Sequence, residues 1–64
     1  GVEQELDVPR ILEDFLETLG ALDQQIFLMY LDDLSYAEMA SITGVGEANL
    51  RKRLSRIREK FKAR

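Results

Sequence analysis

Charged side chains are the groups in this chain most able to do chemistry. Its 64 residues include no cysteine and no histidine, which excludes disulfides, thiolate zinc sites and catalysis by either residue. Carboxylates cluster at Glu13, Asp14 and Glu17 and again at Asp32 and Asp33. Paired carboxylates can transfer protons or bind a cation, but no histidine, cationic partner or ligand set accompanies these. We interpret them as a solvated helix face and a turn, and predict no catalytic site, metal site or cofactor.

A second concentration of charge is basic and lies at the C-terminal end. Residues 51–64 contain eight basic residues and one acidic residue, whereas residues 1–50 contain eleven acidic residues and one basic residue, Arg10. The net charge of −3 argues against a protein that coats a polyanion on every face, but the local potential governs encounter and is divided here. Such a basic segment either contacts phosphates or forms a solvated helix face.

The composition limits the architecture that can position these charges. With 45% hydrophobic and 33% charged residues, the chain is typical of a globular protein. A chain of this length forms one domain with a thin stability margin. No apolar run approaches the roughly 20 residues that span a bilayer, and the acidic N-terminus does not resemble a signal peptide. We therefore predict one domain over residues 1–64 with no membrane contact.

Apolar periodicity predicts helices joined by short loops. The first covers residues 8–19, with Asp7 as its N-cap, Pro9 in its first turn and Gly20 as its stop. The second covers residues 22–31 and is apolar on almost every face, so we expect a central, well-covered helix. A buried strand is the alternative for a short apolar run, but no second strand-like segment could pair with it.

Two further helices follow. Ser35 and Glu38 have the spacing of a capping box, which opens a short third helix that ends at Thr43, before Gly44. A fourth helix covers residues 47–62 and would be about 24 Å long. Its apolar residues recur on one stripe, which predicts a single buried face. The stripe consists of Leu50, Leu54, Ile57 and Phe61.

The third and fourth helices together match the helix-turn-helix pattern over residues 35–62. Ala40 supplies the small side chain that two closely crossing helices need, and Gly44 supplies a turn residue tolerant of positive φ. Val45 and Leu50 fill the space between the helices. In this motif the second helix enters the major groove of DNA. The fold class that we predict is all-α, a small four-helix domain with a helix-turn-helix and no winged elements.

A helical wheel of the fourth helix sorts its polar residues into an outward group and two flanks. The outward group is Ala48, Lys52, Ser55 and Glu59, and the flanks are Asn49, Arg56 and Lys60 on one side and Arg51, Arg58 and Lys62 on the other. Arg53 lies near the edge of the buried stripe. Arginine can bind guanine O6 and N7 at once, and lysine and serine make single contacts. The pattern favours DNA binding over a merely solvated helix.

The sequence from Leu19 to Lys62 resembles region four, the C-terminal domain of bacterial RNA polymerase sigma factors, and the extracytoplasmic-function class most of all. Leu-Ser-Tyr-x-Glu stands at residues 34–38 and Arg-Leu-x-Arg at residues 53–56. The combination of these motifs at this spacing is a specific signal. The resemblance implies a non-enzymatic, cytoplasmic domain that recognises the minus-35 promoter element. It also implies that the chain is a fragment of a longer sigma factor.

The resemblance also implies roles and partners. Its base-reading positions correspond to Arg51, Lys52, Ser55 and Arg56, and its DNA-backbone positions to Tyr36, Asn49 and Arg53. The implied partners are double-stranded promoter DNA, the flap of the RNA polymerase β subunit and an anti-sigma factor. We expect the isolated domain to be a monomer.

Several positions depart from the family pattern. Gly20 replaces a proline, Gln24 and Gln25 stand where arginine is frequent, Gly46 replaces a serine cap and Asn49 replaces a threonine. These changes weaken phosphate contacts from the second helix without disturbing the fold pattern. Two alternatives stay open. One is a helical protein–protein adaptor whose basic helix binds an acidic partner and whose apolar surface binds RNA polymerase or an anti-sigma factor. The other is a free-standing helix-turn-helix regulator that acts as a dimer.

Overall fold

The structure is a computed structural model that describes residues 9–63. Every regular element in that range is a helix: α1 is Arg10–Glu17, α2 is Ala21–Leu31, α3 is Tyr36–Thr43 and α4 is Glu47–Ala63. The all-α prediction is therefore confirmed for the described residues. The bounds of α2, α3 and α4 lie within one residue of those expected from the apolar pattern.

Helix α1 begins later than predicted. Pro9 is its N-cap, with φ −53° and ψ 139°, and the Pro9 carbonyl oxygen accepts hydrogen bonds from the N–H groups of Leu12 and Glu13 at 2.9 and 3.1 Å. Proline suits the start of a helix because the N–H that it lacks would have no intrahelical partner there. The predicted cap, Asp7, lies outside the described residues.

Helix α1 also ends earlier than predicted, and Gly20 does not end it. The last turn tightens to bonds between residues three apart, with the Thr18 N–H donating to the Phe15 carbonyl at 2.9 Å and the Leu19 N–H to the Leu16 carbonyl at 3.0 Å. Gly20 has an extended backbone, φ −68° and ψ 165°, and is the N-cap of α2. The assignment of Gly20 as a stop was therefore wrong, because the tightened turn has already ended the helix.

The core collects apolar side chains from all four helices, and α4 packs on both α2 and α3. Its buried residues are Phe15, Ile26, Phe27, Met39, Leu50, Leu54 and Ile57. The ring of Phe15 meets those of Phe27 and Phe61 in edge-on contacts, with centroids 5.6 and 4.9 Å apart. These contacts attach α1 to α2 and α4, and the predicted stripe of α4 faces the core.

Helix α2 is less covered than its sequence suggests. Ile26 and Phe27 are buried, but Leu28 and Leu31 are each 47% exposed. A domain this small has too few elements to cover every side of one helix. The expectation of a well-covered central helix was therefore wrong for the face that carries these two leucines.

Candidate nucleic-acid interface

The capping box fixes the start of α3. The Ser35 hydroxyl accepts a hydrogen bond from the Glu38 N–H at 3.0 Å, and the Glu38 carboxylate accepts one from the Ser35 N–H at 2.8 Å. The preceding turn contains Asp33 with φ 64°, a left-handed conformation that aspartate tolerates better than most residues. Both the capping box and the turn are confirmed, and they make Tyr36 the first residue of α3.

The turn between α3 and α4 depends on one glycine and one threonine. Gly44 has φ 79° and ψ 4°, a conformation that side chains disfavour, and its N–H donates to the Ala40 carbonyl at 2.8 Å. The Thr43 hydroxyl donates to the Met39 carbonyl at 2.8 Å and accepts from the Val45 N–H at 3.1 Å. The predicted role of Gly44 is confirmed, and these bonds position α4 after α3.

Helix α4 buries one side and exposes the other. Leu50, Leu54 and Ile57 are at most 2% exposed, so the residues opposite them face away from the core. The exposed residues of α4 include three that are predicted to face the groove, Lys52, Ser55 and Arg56, and the flanking Asn49. None of these four side chains has a hydrogen bond or ion pair with another part of the described chain. The structure therefore brings them together on an uncovered surface.

Arg51 is the predicted base-reading residue that has partners inside the molecule. Its guanidinium carbon lies 4.7 Å from the centroid of the Tyr36 ring, and Nη2 lies 3.9 Å from Oε1 of Glu47, one turn earlier in α4. The Arg51 side chain is still 58% exposed. Two predicted DNA contacts, Arg51 and Tyr36, are thus in contact with each other across the helix-turn-helix.

Arg53 is joined to the body of the domain. Its Nη1 donates to Oδ1 of Asp23 in α2 at 2.6 Å, and both side chains are only about one third exposed. The Arg53 Nε is buried without a hydrogen-bond partner. This pair was missed from the sequence because Asp23 lies 30 residues away and no local pattern reports a contact between helices. A phosphate would have to compete with Asp23 for this guanidinium.

A third arginine ties the distal half of α4 to α2. The guanidinium carbon of Arg58 lies 5.7 Å from the centroid of the Tyr30 ring. The cations of α4 therefore fall into two groups within the described residues. Those with intramolecular partners are Arg51, Arg53 and Arg58, and those without are Lys52, Arg56, Lys60 and Lys62.

The family model of sigma-70, region 4, matches residues 10–61 of the chain. The chain belongs to the sigma-70 region 4 family. Members of this family bind DNA in transcription initiation, interact with promoter DNA and RNA polymerase, and are not enzymes. The match covers α1 to α3 completely and α4 up to Phe61. No curated protein and no solved structure matches the chain significantly.

The carboxylate cluster on α1 of this region 4 domain lies at the surface. Glu13, Asp14 and Glu17 are exposed, and the Arg10 Nε lies 3.8 Å from Oδ1 of Asp14. The expectation that no cation accompanies this cluster was therefore wrong, although so exposed a pair contributes little to stability. Among residues 9–63, no group of three or more potential ligands could hold a metal ion, and no helix is long and apolar enough to cross a bilayer.

Proposed function

We propose that this domain recognises a minus-35 promoter element, with α4 in the major groove, as the C-terminal part of an extracytoplasmic-function sigma factor. The observation that carries the proposal is the uncovered cationic face of α4, on which Lys52, Ser55 and Arg56 lie opposite a buried apolar stripe. The major groove of B-DNA is about 12 Å wide and admits one α-helix. A helix anchored on one side and cationic on the other suits that groove.

The proposed contacts follow from position and chemistry. Arginine and lysine bind guanine, and serine binds several bases. The side chains that would reach base edges are therefore those of Arg51, Lys52, Ser55 and Arg56. Asn49 on the flank and Tyr36 at the start of α3 would contact the DNA backbone. Arg53 is the weakest of the proposed backbone contacts because its guanidinium is paired with Asp23.

The uncovered part of α2 supports a proposed contact with RNA polymerase. Leu28, Met29, Leu31 and Asp32 line an open depression, and the two leucines are about half exposed. The flap of the polymerase β subunit is the proposed occupant, and an anti-sigma factor would compete with it. The acidic pair Asp32 and Asp33 beside the leucines favours a partner whose apolar contact has basic neighbours.

An isolated domain of this kind would bind DNA weakly. It offers one reading helix as a monomer, so we expect a Kd in the range of non-specific binding, about 10⁻⁴ to 10⁻⁶ M at physiological salt. Tethering to a second DNA-binding domain and to the polymerase in the cytoplasm would supply the remaining affinity. Nanomolar promoter binding by the isolated chain would contradict this view.

The proposal is tested by mapping amide chemical shifts with two duplexes, one enriched by the chain from a randomised library and one with the same bases scrambled. We expect shifts across residues 49–56, larger and at lower DNA concentration with the enriched duplex. A protein–protein adaptor would show no shifts there with either duplex. A free-standing dimeric regulator would show concentration-dependent sedimentation in the absence of DNA.

A further inference from the structure

We propose that Tyr36 is a positioning residue for Arg51, and that it thereby sets the base preference at the one base pair that Arg51 reads. The inference rests on the proposed function, because it assigns α4 to the major groove. It adds to that function a specificity role for the Tyr36 ring. A phosphate contact would use the Tyr36 hydroxyl, whereas this role uses the ring face.

The ring of Tyr36 lies where it can hold the Arg51 side chain. The guanidinium carbon of Arg51 is 4.7 Å from the ring centroid, within the range of cation–π attraction. Arginine can stack the face of its guanidinium on an aromatic ring, and in that arrangement the N–H donors at its rim stay available to an acceptor. At 58% exposure, the Arg51 side chain remains accessible to a base.

The Tyr36 ring is itself held by the fold. The reciprocal hydrogen bonds of Ser35 and Glu38 fix the backbone immediately before it, and its half-buried side chain packs against the core. The local sequence Ser-Tyr-x-Glu therefore fixes a ring on α3, and that ring restrains an arginine on α4. Glu47 adds a weaker restraint on the same guanidinium at 3.9 Å.

This restraint has a physical consequence for specificity. A free arginine side chain loses rotamer entropy when it is fixed, and a side chain restrained before binding loses less on contact. A guanidinium held in one place also meets guanine O6 and N7 from a defined direction, whereas a mobile one can reach phosphates as well. The ring thus favours the base contact over non-specific contacts.

The test is selection from a randomised double-stranded DNA library by the whole chain and four variants, Arg51→Ala, Arg56→Ala, Tyr36→Leu and Tyr36→Phe. We expect Arg51→Ala to abolish the preference at one base pair. Tyr36→Leu should reduce the preference at that same base pair by about two- to five-fold and leave the other positions unchanged. Tyr36→Phe, which keeps the ring, should retain the preference there and lower affinity for all sequences alike if the hydroxyl contacts a phosphate.

A loss of folding cannot imitate this result. Tyr36→Leu removes a ring that packs on the core, but a smaller folded fraction weakens binding to every sequence equally and changes no single position. The inference is overturned if Tyr36→Leu keeps the full preference, or if Tyr36→Phe loses as much as Tyr36→Leu. It is also overturned if Arg51→Ala changes no position while Arg56→Ala does, and the proposed function then stands. If the unmodified chain selects no sequence, both fail.

Discussion

Helices α2 and α4 pack against each other and expose opposite chemistry on the sides that remain uncovered. Helix α2 exposes Leu28 and Leu31, followed by two aspartates, whereas α4 exposes Lys52, Ser55 and Arg56. An exposed apolar face of this kind suits a protein partner, and an exposed cationic face suits a polyanion. The difference teaches that a chain of 64 residues has room for two chemically distinct exposed faces on one shared core.

The largest expected effect comes from a substitution in the apolar core that supports both surfaces. Leu54 is 1% exposed in the middle of α4, so Leu54→Ala should lower the free energy of unfolding by about 2–5 kcal/mol. That loss is comparable to the whole stability of a small domain, so the variant should lose the fold that supports both surfaces. Urea or thermal unfolding monitored by circular dichroism would measure the lowered stability. Leu50→Ala should behave in the same way.

The control for this prediction is the adjacent residue of α4. Ser55→Ala changes an exposed side chain and should stay within about 0.5 kcal/mol of the parent. If Leu54→Ala folded normally but lost DNA binding, the buried and exposed faces of α4 would be the reverse of those described. The contrast between the exposed faces of α2 and α4 would then be wrong.

The accuracy of sequence-based prediction differs between these helices for a physical reason. Helix α4 has a single apolar stripe, so its buried face could be read from spacing alone, and the Gly44 turn and the Ser35 cap have equally local causes. Helix α2 is apolar on almost every face, so its sequence could not show which side stays uncovered. That depends on how many other helices there are and where they pack.

The contacts that orient the candidate site were also beyond local patterns. The exposure of Lys52 and Arg56 follows from the helical period. The partners of Arg51 and Arg53 do not, because Tyr36 and Asp23 are brought to them by the tertiary fold. The prediction that Gly20 ends α1 was wrong for a related reason, since glycine suits both the end of one helix and the start of the next.

The next largest effect sharpens the cationic side of the comparison. Arg56→Ala should cost about 1–3 kcal/mol of binding free energy and relax sequence preference at one position, as expected for an arginine that reads a base. Fluorescence anisotropy with duplexes differing at single base pairs would measure both quantities. Because Arg56 is exposed, the unfolding free energy should stay within about 0.5 kcal/mol of the parent.

Lys62→Ala is the matched control for Arg56→Ala, since it removes one cation from the far end of the same helix. It should lower affinity for all duplexes alike, if at all, without changing the preference at any position. Equal effects of the two variants on sequence preference would mean that α4 attracts DNA only through its charge.

A smaller effect tests the apolar side. Leu28→Ser combined with Leu31→Ser should weaken binding to core RNA polymerase by about 1–2 kcal/mol, because each half-exposed leucine has only part of its surface left to bury. Binding of the labelled domain to the polymerase would be followed by anisotropy, and DNA affinity should not change. Ile42→Ser is the control, since Ile42 is 62% exposed on α3. If Ile42→Ser alone weakened binding to the polymerase, the docking surface would lie on α3 instead.

The smallest effect concerns the ion pair that joins the two helices. Asp23→Asn removes the carboxylate that holds Arg53, and a pair this accessible should cost at most about 1 kcal/mol of unfolding free energy. The same change leaves an uncompensated cation on the flank of α4 that also carries Asn49 and Arg56. We therefore expect DNA affinity to rise at low salt, and the slope of log affinity against log salt to steepen by up to about 0.9, the value for one additional phosphate contact.

The double variant Asp23→Asn with Arg53→Gln decides whether that gain belongs to Arg53. Its salt slope should return to that of the parent, because the released guanidinium is gone. If Asp23→Asn alone lowers DNA affinity, then the pair serves chiefly to orient α4, and losing the orientation outweighs gaining a free cation. If the slope does not change at all, Arg53 stays against α2 without its partner, held by the packing that buries its Nε. In that case α2 and α4 are joined at this point by packing more than by charge.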